Sequence, residues 1–289
     1  MDQLFNAVIA VFIVLTMLTA GFTTTFDQVR SVIRRPALIG LVLLIGIVIR
    51  PLIGWGAAEM FGLASAAYVA MVITASAPGA PFGAKLVMTA KADVSSGAVL
   101  QVLLAVVMSF TFAPVANGLI SAAELGSDLT LPVRDILLTV VVLQLAPFVV
   151  GILMRHWTED VALEWNEFSS KGSSVLFLVV LAGALLGSWQ TIIDLLGDLV
   201  LLGGAVAAVI MIVLGYFVST GNAETRKATS LIQPMSNSGP AFAAVAIAFD
   251  GDPAILGAVT GILLIQLVAG VVVAGYFGKE PSAADKASA

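Results

Sequence analysis

The sequence predicts an all-α membrane protein of nine transmembrane helices, built as two inverted halves. Three observations predict it. Of 289 residues, 60% are hydrophobic and 11% charged, and the mean hydropathy is +1.08; a soluble domain carries roughly 25% charged residues. The apolar residues gather into nine runs, each long enough to span a bilayer. Two of these runs, the third and the eighth, are interrupted by proline and glycine at matching places.

A span needs about 20 largely apolar residues at 1.5 Å each to cross a hydrocarbon core of about 30 Å. In order the runs are Leu4 to Phe22, Ala37 to Trp55, Leu63 to Ala90, Val94 to Ile120, Arg134 to Met154, Ser173 to Trp189, Leu199 to Val218, Thr229 to Phe249 and Pro253 to Phe277. No cleavable leader is expected, because Met1-Asp2-Gln3 lacks a basic n-region and the first run is long enough to span. The segments after spans one, three, five and seven, with the tail, hold Arg30, Arg34, Arg35, Lys91, Arg155, Lys171, Arg226, Lys227, Lys279 and Lys286. The opposite set holds Glu59, Glu124, Asp128, Asp194, Asp198, Asp250 and Asp252, with Arg134 its one basic residue. Lys/Arg bias sets orientation, so the N-terminus is placed outside and the C-terminus in the cytoplasm. Residues Arg155 to Gly172, with Trp157 and Trp165 among acids, read as a cytoplasmic loop at the interface, and residues 278–289 as a disordered polar tail.

The third run meets Pro78-Gly79-Ala80-Pro81-Phe82-Gly83, and the eighth meets Gln233-Pro234-Met235-Ser236-Asn237-Ser238-Gly239-Pro240. Proline removes a backbone donor and clashes with the preceding turn, and glycine loosens the chain, so neither run passes as one helix. Each break is followed by a short half-helix, a turn with acids (Lys91-Ala92-Asp93; Asp250-Gly251-Asp252) and a long apolar run. The halves are placed at 1–120 and 134–277, the second including one extra span. Proline and glycine also kink membrane helices with no further role, and for one break that reading is as good as any. Paired breaks in matching positions are instead the pattern of a transporter whose site lies where the broken helices meet. Unwound backbone at that depth must be buried in protein or line a wet cavity.

Ala77-Pro78-Gly79 leading to Lys91-Ala92-Asp93, Met235-Ser236-Asn237-Ser238-Gly239, and the basic turn Asp27 to Arg35 together resemble the bile acid:sodium symporter family. The resemblance runs from the first span to Phe277. It implies a core domain in which two broken helices cross at mid-membrane, a panel domain beside it, and a bacterial inner-membrane carrier of organic anions, commonly with sodium. Nine spans resemble members that lack the first helix of a ten-helix form. This sequence departs from the family at the sodium ligands. The matching positions are Gly46, Gly83, Ala84, Gly97 and Gln101 in the first half, and Ile232 or Gln233 with Ser236 in the second. Most of these have no side-chain oxygen, whereas a hard cation takes several.

Lys85 follows the first break directly. A lysine at mid-bilayer costs about 2.5–3.5 kcal/mol on insertion scales and usually faces a cavity or partner. Its ammonium is expected at the crossing, in place of sodium, either as a fixed cation or as a titrating one that couples transport to protons; snorkelling toward Lys91 is the competing reading. Arg50 is read as a snorkelling or interface arginine rather than an anion ligand. Asn237 and Ser238 can meet a solute or merely cap the half-helix. The candidate substrate- and ion-binding set is therefore Pro78, Gly79, Lys85, Gln101, Gln233, Ser236, Asn237 and Ser238. Half-helix N-termini and Lys85 favour an anion.

Other classes are excluded more simply. There are no cysteines, hence no disulfides or thiolate sites. The net charge of −5 includes no basic block for nucleic acid. His156 is the single histidine, no nucleophile elbow or phosphate loop is present, and the acids sit in loops, so no enzyme is expected. The expected function is secondary active transport of a small organic anion by alternating access, with Na+ or H+ as possible coupling ion. The alternatives are a sodium-coupled symporter with a rebuilt ion site and a non-transporting membrane receptor or channel.

Overall fold

Proline, glycine and acidic turns divide the chain into helices much as they are spaced in the sequence. The computed structural model describes residues 2–123, 140–187 and 199–279, together with 134, 138, 190 and 193. In chain order the helices are α1 (Asp2–Phe22), α2 (Phe26–Ile33), α3 (Pro36–Met60), α4 (Ser65–Ser76), α5 (Pro81–Thr89), α6 (Val94–Ala122), α7 (Val141–Trp157), α8 (Glu159–Gly187), α9 (Val200–Phe217), α10 (Ala223–Ile232), α11 (Ser238–Ala248) and α12 (Pro253–Lys279). Thr25 starts α2 with a capping box: its hydroxyl accepts the Gln28 N–H, and the Gln28 side chain accepts the Thr25 N–H at 2.8 Å. α1 and α2 meet at 93°.

The number of spans is corrected. Among the described residues four helices are long and apolar enough to cross a membrane, namely α3, α6, α9 and α12, or five if the bent pair α1–α2 counts as one. The arrangement of nine spans as inverted repeats, with a panel beside a core, is overturned on this count. The reason is length: α4, α5, α10 and α11 have 12, 9, 10 and 11 residues. At 1.5 Å per residue each covers roughly half of a 30 Å core. Nor is there a sheet among the described residues to form a separate layer; a lone bridge joins Pro78 to Ser236. The expected loop at 155–172 is also corrected, since α8 runs unbroken from Glu159. Its early turns mix Trp165 and Phe168 with charge, so hydropathy alone conceals the helix. Glu124, Asp128, Trp189, Asp194, Asp198, Lys286 and the expected tail from 280 onward lie outside the described residues.

α1 packs between α7 and α8. Gly21 and Gly151 let α1 and α7 touch: a Cβ on Gly21 would lie 2.4 Å from the Phe148 carbonyl oxygen, so only a residue without one fits. One hydrophobic cluster joins α4, α6 and α12 through Met71, Ile73, Met108, Phe112 and Ile262. A second joins α1, α5, α6 and α10 through Phe12, Leu86, Leu100, Leu231 and Ile232. The two breaks lie between these clusters.

α5 and α11 terminate alike. Lys91 and Asp250 take left-handed φ values of 52° and 50°, which close the helix ends. Asp93 then accepts the Ser96 N–H at 3.0 Å, and Asp252 accepts those of Ala254 and Ile255 at 2.8 and 3.1 Å. Each acid thereby caps the long helix that follows.

Candidate functional site: the junction of the two breaks

The chain between α4 and α5 runs antiparallel to the chain between α10 and α11, bridged at Pro78 and Ser236. The Asn237 N–H donates to the Ala77 carbonyl at 2.7 Å. Backbone groups freed by the prolines thus satisfy each other across the two breaks, as buried unwound chain requires. Gly79 has φ +88°, and a Cβ there would lie 2.4 Å from the backbone nitrogen of Ala105 on α6. Only glycine meets both conditions.

Side chains from four more helices close around the junction. Ser236 donates its hydroxyl to the Thr74 carbonyl at 2.8 Å, and its N–H goes to Oε1 of Gln266 on α12 at 3.1 Å. Arg50 Nη2 donates to the Ser236 hydroxyl oxygen and, at 3.2 Å, to the Pro234 carbonyl. Gln101 Nε2 donates to the Gly79 carbonyl at 3.0 Å and to Oε1 of Gln144 at 2.8 Å. Gln233 Nε2 donates to the Val42 carbonyl at 2.9 Å. Several buried polar atoms here have no partner: Gln101 Oε1, Gln233 Oε1, Arg50 Nη1, Asn237 Nδ2 and Ser76 Oγ. Leaving such an atom unpaired costs about 1–3 kcal/mol, so each one in a folded protein marks strain, a functional role or a bound water or ion.

Of the eight residues singled out from the sequence, the junction gathers Pro78, Gly79, Gln101, Gln233, Ser236 and Asn237. Ser238 opens α11, half-buried, and Asn237 is the N-cap position, yet its side chain makes no capping bond. Capping therefore does not explain it. Ala80, before α5, has no side chain able to cap either. Lys85 is elsewhere: its ammonium donates to Ser173 and Ser174 of α8 at 3.0 and 2.8 Å and shares no bond with the junction. It is 5% exposed, which also removes the snorkelling reading.

Arg50 was the larger misreading. A run ending at Trp55 puts Arg50 near an outer end, but α3 continues to Met60, and the residue is 3% exposed. Two π-helical stretches mark what hydropathy missed: Leu44–Ile49, just before Arg50, and Val141–Leu145, which carries Gln144. Pro51 and Pro147 follow them closely; a proline lacks the N–H and clashes with the carbonyl four residues back, and the π register absorbs this. A polar residue next to a proline in an apolar run was the available signal. Among the described residues no cluster of His, Cys, Asp and Glu that could hold a metal is present.

No curated protein matches the chain. The family profile described as Sodium Bile acid symporter family matches residues 10–195, a stretch that includes the first break, Arg50, Gln101 and Gln144 and stops short of the second break. That match covers more than half of the sequence, and the chain belongs to the Sodium Bile acid symporter family.

Proposed function

We propose that this chain is a secondary transporter of a small organic anion, working by alternating access about the junction of the two breaks. The observation that carries the reading is the set of buried, unpartnered polar atoms around two mutually bonded breaks. The first turns of α5 and α11 expose N–H groups that no side chain caps, and helix N-termini favour negative charge. Arg50 adds a buried positive charge with no carboxylate beside it among the described residues. The charge balance favours an anion over a cation. The N-terminus is placed outside and the C-terminus in the cytoplasm.

Gln101 Oε1 and Gln233 Oε1 are the specific observation in favour of a second reading, sodium coupling through a rebuilt site. Two amide oxygens with nearby carbonyls offer fewer ligands than the six to eight typical of a hard cation such as Ca²⁺, so an ion-independent carrier is the preferred form. The test is counterflow in proteoliposomes loaded in turn with unlabelled monocarboxylates, hydroxy acids and sulfonates, in sodium or choline. Saturable exchange of a labelled anion in both salts supports the proposal. Exchange in sodium alone moves the assignment to the symporter reading. Binding without exchange, or a conductance far above carrier turnover, replaces the carrier with a receptor or a channel.

A further inference from the structure

A chain that turns by 93° at the end of a 21-residue apolar helix, as α1 does into α2, runs along the bilayer surface rather than through it. At about 100° per residue, the apolar side chains of α2 fall on one arc: Val32, Val29, Ile33 and Phe26. Arg30 stands at the edge of that arc, and Asp27, Gln28 and Ser31 lie opposite. Half of the arc is used inside the protein, since Val32 is buried and Val29 packs against the cluster of Met17, Ala98 and Val102. The other half is not: Phe26 is 46% and Ile33 60% exposed. Exposed Trp157 extends this apolar edge, because the rings of Phe26 and His156 lie 5.1 Å apart and those of His156 and Trp157 6.4 Å apart. Arg30, Arg34 and Arg35 are exposed, and among the described residues none of them forms an ion pair. Asp27 occupies the first turn of α2 and Arg30 its last, as the helix dipole favours. Glu159, near His156, is engaged by Arg155 at 2.9 Å.

We propose that the outward edge of α2 is a docking surface for anionic phospholipid, with Arg30, Arg34 and Arg35 binding headgroup phosphates and Phe26 and Ile33 entering the boundary between headgroups and acyl chains. Charge complementarity names the occupant. Guanidiniums without carboxylates match phosphate oxygens through bidentate, charge-assisted bonds, and basic residues at a membrane surface are drawn to anionic lipid. A free phosphate would answer the charge and leave Phe26 and Ile33 in water; a lipid answers both, as for other helices that lie in the interface. The surface is connected to the first break from two sides. Thr24, just before α2, donates its hydroxyl to Ser95 at 3.4 Å, next to the turn that follows α5. At its other end α2 leads through Arg34 and Arg35 directly into α3, which carries Arg50. The inference rests on the chain being embedded in a membrane and not on the transport reading.

The test is thermal stability of the purified full chain in mixed micelles, titrated with phosphatidylglycerol or with zwitterionic phosphatidylcholine. A ligand of the folded state raises Tm by mass action. Phosphatidylglycerol is expected to give a saturable rise that neither phosphatidylcholine nor free glycerol phosphate reproduces. Each basic residue at the surface is worth about fivefold in affinity, so Arg34→Gln with Arg35→Gln is expected to weaken the apparent affinity about 25-fold. Lys171→Gln with Lys279→Gln removes the same charge elsewhere and is expected to weaken it far less. Ile33→Gln alters no charge and is expected to weaken it several-fold by removing apolar contact. All five side chains are exposed, so the fold tolerates each change. No selective rise in wild type, an equal loss in the lysine pair, or undiminished affinity in the arginine pair or in Ile33→Gln overturns the proposal. An equal rise with glycerol phosphate assigns the arginines to a soluble anion, and a rise that follows protein rather than lipid concentration assigns the face to a second copy of the chain; either result also overturns it. Lipid binding through α2 without any counterflow removes the transporter and leaves this surface standing. Counterflow without selective lipid binding does the reverse.

Discussion

At the scale of single residues, two of the buried cations, Arg50 and Lys85, are held in opposite ways. Arg50 spends its hydrogen bonds on the oxygens of an unwound segment, whereas Lys85 is satisfied by a pair of serines on a neighbouring helix. Removing a buried charge altogether is often neutral, while stranding it is expensive. Lys85→Met is therefore expected to change stability little. The double change Ser173→Ala with Ser174→Ala leaves the ammonium without partners and is expected to cost about 1–3 kcal/mol; thermal melts in detergent compare the two, and a reversed order would remove the tie between α5 and α8. Gly79→Ala faces both a left-handed backbone and a 2.4 Å approach to Ala105, so a loss of at least about 1–3 kcal/mol is expected from the strain alone. Gly79 was legible in the sequence because proline and glycine announce themselves. Arg50 was not, because its role depends on which way a long side chain turns inside the fold, and snorkelling and inward-facing arginines have the same local sequence.

Among the elements, the turn after the first break does the most to connect distant parts of the chain. Asp93 accepts the Ser96 N–H at the start of α6 and also the hydroxyl of Thr225 at 2.9 Å, and its own N–H donates to the Glu224 carbonyl. One carboxylate thus caps a long helix and ties it to the half-helix that leads into the second break. Asp93→Ala is expected to cost about 0.5–2 kcal/mol for the cap alone, with more for the lost Thr225 bond. In a double-mutant cycle with Thr225→Val, a coupling of about 0.5–3 kcal/mol is expected; additive effects would mean that the two turns are independent. Sequence spacing located both breaks and both acidic turns, because those depend on local chemistry. It overextended the span count for the same reason: an apolar run that continues through Pro78–Pro81 or Gln233–Asn237 has the hydropathy of one helix and the geometry of two short ones. α8 was hidden for the converse reason, its exposed Trp165 and Phe168 being interleaved with charged residues over a helical rather than a wholly apolar pattern.

Across the whole molecule, tertiary contacts test whether the basic residues belong to one end. Phe26 and His156 stack edge-to-face at 5.1 Å, which brings the segment of Arg30, Arg34 and Arg35 beside Arg155. Thr24 bonds Ser95 at 3.4 Å, joining that end to the Lys91–Asp93 turn. The same turn meets Glu224 and Thr225 next to Arg226 and Lys227, and Gly278, beside Lys279, approaches the Thr89 carbonyl. Five stretches of chain thereby place their Lys and Arg at one end of the fold, an arrangement the sequence anticipated from charge alone without knowing any contact. The Lys/Arg bias predicts the positive end in the cytoplasm, and a sequence without cysteine allows that orientation to be tested cleanly. Arg34→Cys and Thr158→Cys are expected to react with an impermeant maleimide in inside-out vesicles and to be protected in right-side-out ones. Glu59→Cys and Asp250→Cys are expected to show the opposite pattern, Glu59 being placed at the far end of α3 from Pro36. If both pairs react from the same side, the charge argument fails, and α3 does not carry the chain across the bilayer. If both patterns invert together, the helices cross as described and the orientation alone is reversed.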